Sequence, residues 1–263
     1  MTPAQAISEI VKSVIELATV GTNLLDLEKR AETSIALYGA QSAIKRYQPK
    51  WAKIPFPSAV CLSVNDTIGH GIPFNYNLQD GDLLSIDCGI VVGGVAADCG
   101  LTIPIGKVSS KDEYLLKVTK EILYKGIEVI KPGVRISEVG KAMQYALGSR
   151  DFVISHRMAS HQIGTSMHEE PTIPNFDIGM FEVVTVDDKG RKKYSYEEFK
   201  DVPSFYEGQI VCIEPHVTYK DYNGYIASDY WSLKTRDGKK SAFAEHMVRV
   251  TSMGNEILTS HFK

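Results

Sequence analysis

Between residues 82 and 102 the chain carries two apolar, β-rich runs joined by Gly93-Gly94. Two glycines between such runs predict a hairpin, because a two-residue turn needs positive φ. With the turn placed there, Val92 faces Val95, Asp87 faces Gly100 and Asp98 faces Gly89. Side chains alternate along a strand, so Asp87 and Asp98 become diagonal neighbours on one face, their β carbons within about 7–8 Å. Before the hairpin, Ile7, Ile10, Val11, Val14, Ile15 and Ala18 recur at helical spacing behind Pro3, and Gly21 ends the stripe. Further helices are predicted over residues 24–38, from Ser110-Lys111-Asp112-Glu113 (the form of a capping box) to about residue 130, and over residues 136–147. Short strands are expected at residues 60–64, 209–214 and 242–251. The polar stretch at residues 186–201 reads as an exposed hairpin or loop.

Composition narrows this picture without redirecting it. A chain of 263 residues, 43% hydrophobic and 23% charged, is ordinary for a globular protein with a sizeable core. Its net charge of −3 gives no reason to expect nucleic acid or an anionic membrane as partner. The only long apolar run is the hairpin, which its aspartates and glycines disqualify as a membrane span. Met1-Thr2-Pro3-Ala4-Gln5 lacks the basic-then-apolar form of a signal peptide. Cys61, Cys88, Cys99 and Cys212 lack zinc-finger or disulfide spacing and read as reduced thiols of a cytoplasmic protein. Cys88 and Cys99 each follow an aspartate, so alternation sends them to the opposite face as small core residues.

The aspartates are where chemistry enters. Ile86, Ile90, Val91, Ala96 and Ala97 make the ribbon too apolar for a solvated face, the simplest alternative. Burying an unpaired carboxylate costs several kcal/mol, so a bound cation is the expected remedy. An internal repeat enlarges the set. Gly21-x-x-Leu24-x-Asp26 resembles Gly133-x-x-Ile136-x-Glu138, and His70-x-x-Pro73 resembles His168-x-x-Pro171. Likewise Gly81-x-Leu83-x-x-Ile86-Asp87 resembles Gly208-x-Ile210-x-x-Ile213-Glu214, and Ala97-Asp98 resembles Ala244-Glu245. A duplicated unit of two helices and an antiparallel sheet would bring Asp87, Asp98, Glu214 and Glu245 together about a pseudo-twofold axis. Oxygen ligands with an imidazole, from His161 or His168, suit Mn²⁺, Fe²⁺, Co²⁺ or Zn²⁺. A carboxylate-bridged pair of ions would activate a shared water for hydrolysis. The lone His156, His216 and His261 read as structural.

The residues His70, Asp87, Asp98, His161, His168, Glu214 and Glu245, in this order and with these neighbours, resemble the type I methionine aminopeptidases of the pita-bread metallopeptidase fold. The resemblance runs nearly the whole chain, strongest around Phe56-Pro57-Ser58, His70-Gly71-Ile72-Pro73, His168-Glu169-Glu170-Pro171, Ile213-Glu214-Pro215 and Trp231-Ser232-Leu233-Lys234-Thr235. It implies an α+β fold with a central curved sheet, in one catalytic domain spanning residues 1–263 with pseudo-repeat halves near 4–106 and 111–260. It further implies two divalent ions on Asp87, Asp98, His161, Glu214 and Glu245, with Asp98 and Glu245 bridging. Glu214 is then also the general base, His168 meets the developing oxyanion, and His70 meets the scissile amide. Phe56, Cys61, Met167 and Trp231 match the lining of a methionine pocket. The activity implied is removal of N-terminal methionine before a small second residue. Peptide and nascent-chain N-termini are the implied partners, with transient ribosome contact, for a monomeric cytoplasmic enzyme.

Three positions differ from the family pattern. Ser160 and Gln162 stand where glycine usually flanks the ligand histidine, and Lys53 stands where a pocket tyrosine is common. Gln162 is expected to crowd the cleft or alter substrate choice. A metal-poor peptide-binding relative, and an aminopeptidase with altered first-residue specificity, are the competing readings.

Overall fold

The computed structural model describes residues 1–178, 181–186, 192–197 and 202–259. Its first half opens with α1 (Pro3–Leu17) and α2 (Leu24–Leu37). Thr2 caps α1 through its hydroxyl, which accepts from the Gln5 N–H while the Gln5 side chain accepts from the Thr2 N–H. Of the predicted stripe, Ala18 is buried, Ile15 partly so, and Ile7, Ile10, Val11 and Val14 fully. Burying side chains of this size is worth about 1.5–3 kcal/mol each. They pack on β1 (Cys61–Val64), β2 (Leu83–Val92) and β3 (Val95–Pro104), with Ile86, Ile90, Ala97 and Cys99 in the same core.

The hairpin has the expected register: Val92 faces Val95, Asp87 faces Gly100, and Gly89 faces Asp98. Gly93 and Gly94 sit at φ +59° and +78°, the two positive values the turn demands. Cys88 and Cys99 face one another in the ladder and are buried in the core, as alternation requires.

The second half repeats the plan with α3 (Ser110–Glu128) and α4 (Ser137–Leu147). The cap of α3 lies one residue earlier than the sequence implies. Ser109 accepts from the Asp112 N–H at 3.1 Å, and its hydroxyl donates to the Asp112 carboxylate at 2.8 Å. These helices cover a sheet of β4 (Ser160–Gln162), β5 (Glu169–Ile173) and β6 (Ile210–Ile213), together with β8 (His246–Val250). A single strand was expected over residues 242–251, but the chain forms β7 (Ser241–Phe243) and β8 instead. Between them Ala244 bridges to Leu101, and the Glu245 N–H donates to Gly100 O at 3.0 Å. The break therefore lashes the second half to β3 and turns Glu245 toward the hairpin's aspartates.

The duplication is visible bond for bond. Gly21 N–H donates to Leu78 O, Leu78 N–H to Thr22 O and Leu24 N–H to Tyr76 O. Gly133 N–H donates to Phe205 O, Phe205 N–H to Val134 O and Ile136 N–H to Pro203 O. The polar stretch begins inside an antiparallel pair, Phe181–Val186 with Lys192–Glu197, as the hairpin reading expected; residues 187–191 and 198–201 lie outside the described residues, as does His261. No helix among the described residues is long and apolar enough to cross a membrane.

Candidate metal centre and substrate cleft

One cavity of about 660 Å³ is lined by every residue singled out from the sequence as ligand, helper or pocket wall. Asp87 and Asp98 reach it from β2 and β3, His161 from β4, Glu214 from the end of β6, and Glu245 from the step between β7 and β8. Strand β6 stops before Glu214 because the next residue, Pro215, has no N–H to extend a ladder. His161 Nδ1–H donates to Gln162 O at 2.9 Å, since a carbonyl only accepts. That leaves the Nε2 lone pair free, 3.4 Å from Glu214 Oε1 and 4.0 Å from Asp98 Oδ2.

The carboxyls of this cluster are neutralised either by protons or by a bound cation. Burial lifts the Asp87 carboxyl to about 6. Burial, then neighbouring carboxylates, pushes Asp98, Glu214 and Glu245 well above the usual range. Burial lowers His161 to about 4, so its imidazole is neutral and its contacts with the carboxylates are not ion pairs. Asp98 Oδ1 and Glu245 Oε1 are buried without a hydrogen-bond partner among the described residues, an arrangement costing several kcal/mol unless a cation intervenes. Oxygen donors plus one imidazole nitrogen fit a divalent transition-metal ion. Asp98, His161, Glu245 and Cys212 offer donor atoms that lie within 4.8 Å of one another. Cys212 faces His161 directly across the ladder. The sequence reading passed over this thiol. Its place two residues before Glu214 was the available signal.

Beside that cluster one part of the cavity is an apolar recess, while Arg157, Glu169, Glu170 and Thr172 line another part. Ile44, Phe56, Cys61 and Trp231 are buried together, with Tyr47 and Met167 packed against them. Phe56 meets Trp231 edge-on at 5.1 Å. Gly89 admits Met167, whose sulfur occupies the space a β carbon would take. Both helper histidines line the same cavity. His70 has left-handed backbone at φ 54° and lies 6.1 Å from the Trp231 ring; burial, then His168, lowers it to about 4. His168 Nδ1 is 3.2 Å from the Tyr47 hydroxyl. Tyr47 and Trp51 belong to the cavity wall and were not anticipated; they come from an irregular segment with no periodicity to place them.

Two expectations fail here. Gln162 does not line the cavity: its amide donates to Glu169 at 3.3 Å and accepts from Gln209 at 2.8 Å. The ladder shifts register between His161 and Gln162, and the glutamine is tied to Glu169 and Gln209 instead. Lys53 also stays out of the cavity, its ammonium 4.6 Å above the Tyr230 ring. Gln162→Gly is accordingly expected to leave the preference among peptides varied at their first two residues unchanged, as kcat/KM across such a panel will read.

Comparison with known proteins places these features in a family. Metallopeptidase family M24 matches residues 2–252. A methionine aminopeptidase of Aquifex aeolicus is 32% identical over 257 residues, covering 97% of this chain and 93% of its own. One of Helicobacter pylori is 36% identical over 239 residues, covering 91% and 86%. The crystal structure of methionine aminopeptidase from Thermotoga maritima superposes with a TM-score of 0.84 at 27% identity, covering 98% of this chain and 94% of that one.

Proposed function

This chain belongs to metallopeptidase family M24 and has its pita-bread fold, and from that premise we infer that it hydrolyses the first peptide bond of chains that begin with methionine. The observation that carries the reading is the apolar aromatic recess opening onto the His/Asp/Glu cluster within one cavity. An unbranched thioether fills such a recess well, because sulfur makes favourable contacts with aromatic edges like those of Phe56 and Trp231. Glu169, a cavity carboxylate outside that cluster whose hydrogen bonds hold it ionised, favours a free α-ammonium, which confines cleavage to the N-terminus.

Asp87, Asp98, His161, Glu214 and Glu245 are the residues that would hold two divalent ions. Mn²⁺, Fe²⁺, Co²⁺ and Zn²⁺ all suit this donor set. Bound there, the ions supply Lewis-acid activation of water and of the scissile carbonyl. Glu214 accepts the proton of the attacking water and returns it to the departing amine. We assign Tyr47 as the donor to His168 Nδ1, which puts the proton of that neutral ring on Nε2, available to the developing oxyanion. His70, neutral at physiological pH, hydrogen-bonds the scissile amide. Phe56, Cys61, Met167 and Trp231 hold the methionine side chain, and a small second residue suits the cleft beyond it. We take residues 1–263 as one catalytic domain acting as a monomer in the cytoplasm on peptide and nascent-chain N-termini, in transient contact with the ribosome.

The test is release of free methionine from Met-Ala-Ser supplied with Mn²⁺, Fe²⁺ or Co²⁺. The expected result is turnover of this peptide and none of its N-acetylated form. No release with any of the three ions would overturn the assignment.

A further inference from the structure

Glu214 sits just beyond the end of β6, where the ladder no longer holds its backbone. A side-chain ring takes over. The Glu214 N–H donates to Ser160 Oγ at 2.9 Å, and the Ser160 hydroxyl donates to Asn175 Oδ1 at 2.5 Å. Asn175 Nδ2 donates back to Glu214 O at 3.1 Å, which closes the circuit. The same carbonyl also accepts from His216 Nδ1–H at 3.0 Å. Ser160 and Asn175 are completely buried, so water does not share these bonds.

We propose that Ser160 and Asn175 are positioning residues that clamp the backbone of Glu214 and so fix where its carboxylate points. The proposal rests on the reading of Glu214 as ligand and general base. The chemistry favours it because a serine hydroxyl accepts and donates through a single atom, and at this position the ring needs both. Glycine at position 160 leaves the Glu214 N–H and the Asn175 carbonyl oxygen buried and unpaired together. Groups that orient a metal ligand from behind typically affect affinity or rate by about 10–100-fold.

The experiment compares wild type with Ser160→Gly, Ser160→Ala and Asn175→Asp. Mn²⁺ affinity is read by calorimetry, and kcat and KM on Met-Ala-Ser at saturating Mn²⁺. Asn175→Asp keeps the acceptor for Ser160 but removes the donor to Glu214 O, so it probes the ring with little change in volume. The expected result is about tenfold weaker Mn²⁺ binding and about tenfold lower kcat in each variant, with KM within about twofold of wild type. A role confined to packing lowers the melting temperature but leaves affinity and kcat of the folded protein alone. Wild-type affinity and kcat in folded Ser160→Gly and Asn175→Asp would overturn the proposal. Wild type that binds Mn²⁺ but releases no methionine fails the functional reading instead, and the affinities still decide the ring.

Discussion

Asp98→Asn is expected to give a folded protein that no longer binds divalent metal tightly and releases no methionine above background. Asp98 is 5% exposed, faces Gly89 in the hairpin and presents Oδ1 with no hydrogen-bond partner among the described residues. It lies 4.0 Å from His161 Nε2 and raises the pKa of Glu214 and Glu245 by its charge. Removing that charge relieves repulsion in the metal-free protein, so the variant without metal is expected to melt no lower than wild type. What it loses is stabilisation by ligand, worth about 2.7 kcal/mol when metal stands at 100 times its dissociation constant. Thermal unfolding with and without Mn²⁺ reads both effects: a shift in wild type, none in the variant. The pH dependence follows from the whole cluster: in the metal-free protein burial lifts Asp87 to about 6, and burial with neighbouring carboxylates holds Asp98, Glu214 and Glu245 well above the usual range. Protons then compete with the ion, so Mn²⁺ affinity is expected to fall as pH drops toward and through about 6 and binding to release protons across that range. A wild-type melting shift in Asp98→Asn would remove this aspartate from the ligand set.

His70→Ala separates helpers from ligands. Its imidazole lies on the aromatic side of the cavity, 6.3 Å from the Trp51 ring and 6.1 Å from Trp231, outside the group of converging donor atoms. Burial lowers its pKa to about 4, so it is a neutral N–H donor throughout the neutral range. Hydrogen-bonding or general acid–base helpers typically contribute about 10²–10⁴-fold in rate. The variant is expected to show that loss with metal content unchanged, measured by elemental analysis beside steady-state kinetics. Loss of metal along with activity would put His70 among the ligands.

How far these residues were legible depended on local rules. The Gly-Gly turn set the hairpin register, and period-two alternation then placed Asp87, Asp98, Cys88 and Cys99 on their correct faces. The repeat located Glu214 and Glu245 because each half folds through the same backbone bonds. Gln162 and Cys212 were harder to place, because the ladder shifts register between His161 and Gln162 and Cys212 lies in the core behind the donor atoms rather than in the cleft wall. Tyr47 and Trp51 obey no period, since the irregular segment that carries them is shaped by what it packs on. The strand break at Ala244-Glu245 is likewise a tertiary effect, set by the bridge to Leu101 rather than by any breaker in the sequence. Ser160 drew notice only as a departure from glycine; its part in holding Glu214 needed Asn175, fifteen residues away in sequence, to be brought alongside.

The most direct test of the metal-centre account is a titration of chelator-stripped protein with Mn²⁺ or Co²⁺. Bound ions per chain and methionine release from Met-Ala-Ser are followed on the same samples. The expected course is no release from stripped protein, activity that rises in step with occupancy, and saturation at about two ions per chain. Full activity in the stripped protein, or tight occupancy that never yields methionine, would contradict it.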